Sequence, residues 1–501
     1  MSEPRLIEVN ADEIRGPADR MPLLCVGAGR ANEGLRADWQ EQLASVRKEC
    51  GFRYIRMHAL FHDDMGVYGT DREGRPRFNW QYIDRLYDFL LSIGMKPFVE
   101  LSFTPAAMAS GPETIFWWKG NVSVPKDLSL WGTLVRKFTE HVTERYGRDE
   151  VRSWYFECWN EPDLDGFFRG TQSDYFKLYE ETARAVKSVE PDYRIGGPAT
   201  SGCKWIPEFI GFCAQNSVPV DFISTHTYAV THGALDEWGD SGTVFSPDPQ
   251  SIAREVIATR RQIRESALPH LELHFTEWSS SYTPSDPFHD SYHSAAFILD
   301  RLKAIGSEAD SMSYWVFTDI FEEAGPRFTP FHGGFGLLNM QGIPKAAFQA
   351  YRYLNRLGPR ELSTSDACSR ACRNDEGGLQ VLLWDFTYTH PGTHIHNQSF
   401  YNKDLPAKEK GNVRVKISGM APGRYALDIH RTGYRANDTY TAYLDLKSPD
   451  QLTRQQESKV RSAFTGQPSA RRTVTVENGK DAVLELPLRE NDVFLLEFRI
   501  D

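Results

Sequence analysis

Positive charge is in short supply: 57 Lys and Arg face 68 Asp and Glu, a net charge of −11. A nucleic-acid binder needs a basic footprint, so that class is excluded, and a polyanionic substrate would require a local basic pocket. No apolar run approaches the length of a membrane-spanning helix. The opening MSEPRLIEVN has neither the basic nor the apolar region of a secretory signal. The 7 cysteines are scattered without C-x-x-C spacing. Cys368 and Cys372 come nearest to a motif, but no second pair follows to complete a zinc site. A reduced, cytoplasmic setting is therefore expected, in which the N-x-S/T sequons at Asn121, Asn397 and Asn437 carry no weight. A G-x-S-x-G elbow is missing, which argues against an esterase. Gly27-Ala-Gly29 lacks the third glycine of a dinucleotide-binding turn. Neither a metal nor a cofactor is expected.

What the chain does have is length and aromatics: 501 residues, 13% of them Phe, Trp or Tyr. That suffices for a large barrel and an accessory domain. The aromatic surplus also suits sugar recognition, because ring faces stack on pyranose C–H faces. Eight short apolar runs read as strands: Leu23–Gly29, Tyr54–Leu60, Lys96–Phe103, Trp154–Asn160, Arg194–Thr200, Phe222–Tyr228, Leu271–Trp278 and Met312–Thr318. Between and after them fall amphipathic stretches: Arg36–Cys50, Trp80–Gly94, Leu128–Tyr146, Ser173–Val189, Trp205–Asn216, Pro249–Ser266, Tyr292–Gly306 and Pro344–Leu357. Such alternation predicts an α/β chain with a (β/α)8 TIM barrel over residues 22–358. From 359 to 501 the pattern changes to short β runs between Gly, Pro, Asn and Asp, as in Gly378–Phe386, Asn412–Ile417, Gly423–Ile429, Arg472–Val476 and Val483–Leu486. These predict a C-terminal antiparallel β-sandwich, interrupted by a polar helix near Asp450–Phe464. Residues 1–21 should add a strand to it through Leu6–Val9.

Functional groups of such a barrel project from the C-terminal strand ends, and here those ends are unusually polar. The second carries Arg56 and His58, then His62-Asp63-Asp64; the third contains Glu100; the fourth ends in Asn160-Glu161. His226 and Tyr228 end the sixth, Glu277-Trp278 the seventh, and Trp315 lies in the eighth with Glu322-Glu323 beyond it. Like charges crowded at one mouth are costly to ionise, so a purely structural barrel has no reason to gather them. Two carboxylates facing each other are the minimal apparatus for cleaving a glycosidic bond: one neutral, to protonate the leaving oxygen, and one ionised, to attack. Glu161 and Glu277 are the best pair, three strands apart across the mouth. Arg56 and Tyr228 could keep Glu277 ionised. Glu157 and Glu100 are read as structural partners of Arg53 or Arg56, and Cys158 as a small buried filler. His62-Asp63-Asp64 is read as loop structure or a substrate contact rather than a metal cluster. Trp117-Trp118 should shape the cleft.

The motifs WNEP (159–162), TEW (276–278), DIFEE (319–323), HDDMGVY (62–68) and YWVFTDIFEE (314–323) resemble glycoside hydrolase family 39. The likeness runs over nearly the whole chain, from GRANEGLRADWQEQL (29–43) to the β-rich tail. It implies retaining hydrolysis through a covalent glycosyl-enzyme, with β-xylosidase and α-L-iduronidase as the best-known activities. Carried over by motif, Glu161 is the acid/base, Glu277 the nucleophile, and Asn160 a partner of the sugar 2-OH. The resemblance also puts His58, His226, Tyr228, Glu322 and Glu323 on the glycone, between Phe116 and Trp315 as apolar walls; Asp63 joins the substrate-binding set. An iduronate carboxylate would call for Lys or Arg, whereas Glu322, Glu323, Asp63 and Asp64 suit a neutral sugar; Arg327 in the eighth loop is the exception. The expected activity is thus an exo-acting β-xylosidase on short xylo-oligosaccharides. The alternatives are iduronidase, β-galactosidase or α-L-arabinosidase activity on the same scaffold, or a non-catalytic sugar-binding protein. No nucleic-acid or membrane partner is expected, and self-association is left open.

Overall fold

The computed structural model describes residues 4–231, 233 and 241–501. Eight parallel strands close into a barrel: Cys25–Arg30, Tyr54–His58, Lys96–Leu101, Tyr155–Cys158, Arg194–Thr200, Phe222–Tyr228, Glu272–Ser279 and Ser311–Tyr314. Helices of 10 to 19 residues follow them, from Ala37–Cys50 to Ala346–Asn355. Most bury one apolar stripe against the barrel; in Gln81–Ser92 it is Ile83, Leu86, Tyr87 and Leu90. His293–Ile305 is instead buried nearly all round. Gly51, with φ of +79°, ends the first of these helices, and its backbone N–H donates to Arg47 O.

Strand alternation stacks the barrel interior in layers. At the bottom lie Phe98, Tyr155, Phe222 and His274, an aromatic plug with ring centroids 4.8–5.6 Å apart. Two residues further along the strands come Arg56, Glu100, Glu157 and Thr276, and above them His58 and His226. The glycines of the first strand provide clearance. A Cβ on Gly27 would stand 2.5 Å from the Trp315 ring, and one on Gly29 would stand 2.3 Å from the Glu33 carboxylate.

The second domain is one mostly antiparallel sheet of nine strands, in the order Ala470–Val476, Gly423–Thr432, Val493–Ile500, Leu379–Trp384, Ser369–Arg373, Arg360–Thr364, Arg5–Pro17, Glu409–Ser418 and Ala482–Arg489. Its two edge strands approach each other, so the sheet folds over a core of its own that includes Ile7, Val9, Leu383, Val415, Leu427 and Leu496. The N-terminal strand runs from Arg5 to Pro17 and pairs antiparallel with Arg360–Thr364 and parallel with Glu409–Ser418. Three strands here have no counterpart among the predicted runs: Arg360–Thr364, Ser369–Arg373 and Val493–Ile500. The polar helix spans Arg454–Ser462, capped by Thr453 and Gln456, with a shorter one before it at Thr439–Asp445. Among the described residues no helix is long and apolar enough to cross a membrane.

Candidate active site

The fourth strand leaves the barrel through strained backbone. Trp159 and Glu161 have φ of +71° and +43°, a region that side chains other than glycine seldom occupy. Trp159 is held by its backbone N–H to Leu101 O and its indole N–H to Phe167 O, and Glu161 by its N–H to Ala199 O. The turn brings Asn160 and Glu161, both buried, over the barrel mouth. Opposite, the pairing of the sixth and seventh strands slips by one residue: Thr225 faces Phe275, but His226 faces Glu277. This bulge lets Thr276 and the adjacent Glu277 both reach the interior.

Beneath the mouth the Arg56 guanidinium, fully buried, meets four acceptors. Its Nε donates to Glu157 at 2.5 Å, Nη1 to Glu277 at 2.8 Å and Nη2 to Asn160 at 2.9 Å, and Nη2 also forms an ion pair with Glu100 at 2.8 Å. Glu157 also accepts the Thr276 hydroxyl at 2.8 Å. Glu157 and Glu100 therefore both pair with Arg56, and Arg53 takes neither. A buried cation with this many acceptors is well compensated, whereas removal of one partner leaves uncompensated charge in a low-dielectric layer.

The two candidate catalytic carboxylates differ in environment. Glu277 accepts the Tyr228 hydroxyl at 2.6 Å besides its bond from Arg56. Burial raises its carboxyl, and neighbouring cations including Arg56 oppose the rise. Burial pushes Glu161 up to about 8, with the charge of Asp163 adding to the rise. His226 Nδ1 lies 2.9 Å from Glu161 Oε1 and 3.4 Å from Glu277 Oε2. Burial lowers His226 to about 4, so it is neutral at pH 7 and can donate from one nitrogen only. Oxygens of Glu161 and Glu277 approach within 4.8 Å of one another. Retaining glycosidases hold their carboxyl groups about 5–5.5 Å apart, and inverting ones beyond about 6.5 Å to admit a water.

Of the other expected site residues, His58, Glu323, Phe116 and Trp315 belong to the same cluster. His58 Nε2 lies 3.5 Å from Glu323, and its ring centroid is 4.8 Å from that of Trp315 and 6.2 Å from that of Phe116. Two residues lie apart from it. Asp63 is exposed, and its carboxylate accepts the Ala106 backbone N–H at 3.2 Å, so it fastens one loop to another. Glu322 is clamped by Arg30 at 3.1 Å and Arg36 at 3.0 Å. His62 and Asp64 likewise serve the loop: the His62 ring accepts Asp64 N–H, and Asp64 pairs with Arg30. Trp118 is buried beside Phe103 and Phe116, while Trp117 is 55% exposed at the rim, its backbone N–H bonded to Glu323 O. Arg30, Glu33, Ser102 and Thr276 received no role from the sequence. All are polar residues on barrel strands or directly after the first or third of them, and that placement was the available signal.

The sequence model of Glycosyl hydrolases family 39 matches residues 5–480. The chain belongs to this family. A β-xylosidase of Geobacillus stearothermophilus is 43% identical over 369 residues, 72% of this chain and 73% of that protein. One from Caldicellulosiruptor saccharolyticus is 39% identical over 90% of this chain and 89% of its own. The crystal structure of a monomeric β-xylosidase from Caulobacter crescentus CB15 superposes with a TM-score of 0.94 at 44% identity, covering 99% of both chains. As a family member the chain is a glycosidase.

Proposed function

We propose that this protein is an exo-acting β-xylosidase that releases xylose from short xylo-oligosaccharides with retention of configuration. The observation that carries this reading is the Glu161–Glu277 pair: oxygens within 4.8 Å, with burial pushing Glu161 up to about 8 while Arg56 and the Tyr228 hydroxyl both donate to Glu277. Glu277 attacks the anomeric carbon while Glu161 gives its proton to the departing glycosidic oxygen. The resulting carboxylate at Glu161 then takes a proton from water, which attacks the same carbon and frees Glu277. Asn160, oriented by Arg56, meets the sugar 2-OH, where the contact strengthens as positive charge develops on the ring. Glu323 accepts from a further hydroxyl, and Trp315 and Phe116 flank the ring. The identities to two curated β-xylosidases support the substrate class. The 7 free thiols support a cytoplasmic setting fed by imported oligomers.

The cations around the site also support a neutral sugar. Arg30, Arg36 and Arg56 are each engaged by carboxylates of the protein. One observation favours a second reading, an acidic glycone: Arg327, whose charge acts on Glu323, has a buried Nη2 without a hydrogen-bond partner among the described residues. A panel of nitrophenyl glycosides separates the two. The β-D-xyloside should exceed the β-D-galactoside, α-L-arabinoside and α-L-iduronide in kcat/KM by at least about tenfold, the discrimination a few well-placed contacts provide. Preference for the iduronide, lost in Arg327→Met, would establish the second reading instead.

Because Glu161 acts as a protonated acid, activity is lost as pH rises through its pKa. The alkaline limb of kcat/KM against pH should therefore centre near 8, well above an ordinary glutamate. An alkaline limb absent below pH 9 would show that Glu161 is not the essential acid.

A further inference from the structure

We propose that Glu100 is a positioning residue of the reaction, acting through His58 to aim its Nε2 at Glu277 and Glu323. Glu100 is 1% exposed and sits a layer below the mouth, so it does not touch the sugar. Its Oε1 accepts the Ser102 hydroxyl, whose oxygen in turn accepts the Ala59 backbone N–H at 3.1 Å. The carboxylate is thus fixed from behind. Its Oε2 faces both His58 Nδ1 at 2.7 Å and Arg56 Nη2 at 2.8 Å. The other His58 nitrogen, Nε2, lies 3.6 Å from Glu277 Oε1 and 3.5 Å from Glu323 Oε1. A neutral imidazole would direct a lone pair at carboxylate oxygen on one side or the other. Only the doubly protonated ring presents a donor to both.

The rings of Phe103, Phe116 and Trp315 surround His58, so its plane is set by apolar contacts and its direction by Glu100. The charged and titratable groups around it are Arg56 on its own strand, Glu100 on the third, Glu161 at the end of the fourth, His226 on the sixth, Glu277 on the seventh and Glu323 after the eighth. Burial is the largest influence and opposes a charge on His58, but the Glu100 carboxylate, through its charge and its hydrogen bond, acts together with Glu323 to raise the group to about 10. Arg56 keeps Glu157, Asn160 and Glu277 as acceptors without Glu100. What Glu100 adds is the imidazolium, which ties the attacking carboxylate to the glycone-binding one.

The test is a double-mutant cycle with a pH profile, using Glu100→Gln, His58→Asn and both together. Glu100→Gln removes the charge that holds His58 protonated, so His58 should lose its proton near the ordinary value of about 6.5. The alkaline limb of kcat/KM should then move down by at least one pH unit, and kcat/KM at pH 7.5 should fall about tenfold, the protonated fraction left one unit above a pKa of about 6.5. In the His58→Asn background the same substitution should cost less than about threefold. Glu100→Asp should recover part of the activity, and Ser102→Ala should give a weaker shift of the same sign in an otherwise intact protein. An unmoved alkaline limb, or equal losses in both backgrounds, would overturn the proposal. The proposal rests on the reading of Glu277 as nucleophile. Failure of that reading would appear as retained turnover in Glu277→Ala, a result independent of the cycle.

Discussion

Glu277→Ala should lower xyloside turnover by on the order of 10⁵-fold or more, the scale on which loss of a covalent nucleophile is felt. Azide should then restore cleavage of the glycosidic bond, with a glycosyl azide of inverted anomeric configuration as the product. The physical reason lies in what the truncation leaves behind. Arg56 Nη1 and the Tyr228 hydroxyl lose their acceptor and line a small cavity on the face from which Glu277 attacks. A small anion suits that cavity because a buried guanidinium faces it. Azide attacks once from that face, and no protein carboxylate remains for a second displacement. Proton NMR of the anomeric signal decides the matter. A product of retained configuration, or turnover within tenfold of the native enzyme, would remove Glu277 from the role.

Glu161→Ala should cost about 10²–10⁴-fold on xylobiose, the range general acid catalysis spans. Aryl xylosides with good leaving groups should lose far less in glycosylation, because their departing oxygen needs little protonation. For those substrates the second step becomes limiting, since no base activates the water. The glycosyl-enzyme should accumulate, visible as a burst of phenolate followed by slow turnover. Azide should speed that slow phase and give the retained product, the opposite stereochemistry to the Glu277 variant. The alkaline limb near pH 8 should vanish with the group that causes it. Equal losses across leaving groups of widely different acidity would show that Glu161 supplies something other than the proton.

Much of this was legible in the order of residues. Eight apolar runs alternating with amphipathic ones point to a parallel sheet covered by helices, and the missing glycine-rich phosphate turn favours a closed barrel over an open one. Arg194–Thr200, Phe222–Tyr228 and the helix Leu128–Tyr146 have the bounds their patterns predict. WYFECWNEPD marked the fourth strand and its candidate functional end, since an aromatic run stopping on Asn-Glu-Pro is hard to explain as a turn alone. Other features lay beyond local pattern. Arg360–Thr364 and Ser369–Arg373 mix polar with apolar residues and become strands because neighbours distant in sequence complete their hydrogen bonds. Asp63 and Glu322 have the chemistry of sugar ligands, but Ala106 in one case and Arg30 and Arg36 in the other take up their oxygens.

The sequence alone established which strand ends carry Glu161 and Glu277, because composition and period are local properties. Which way those side chains point was decided only by the closed barrel. Strict alternation from His274 puts Thr276 inside and would turn Glu277 away; the one-residue slip against the sixth strand brings Glu277 inward as well. Glu157 shows the same dependence. As an isolated carboxylate in an aromatic run it has no evident purpose, and its partners Arg56 and Thr276 are 101 and 119 residues away. Closure brings them into one layer, where desolvation makes each charge dependent on the others.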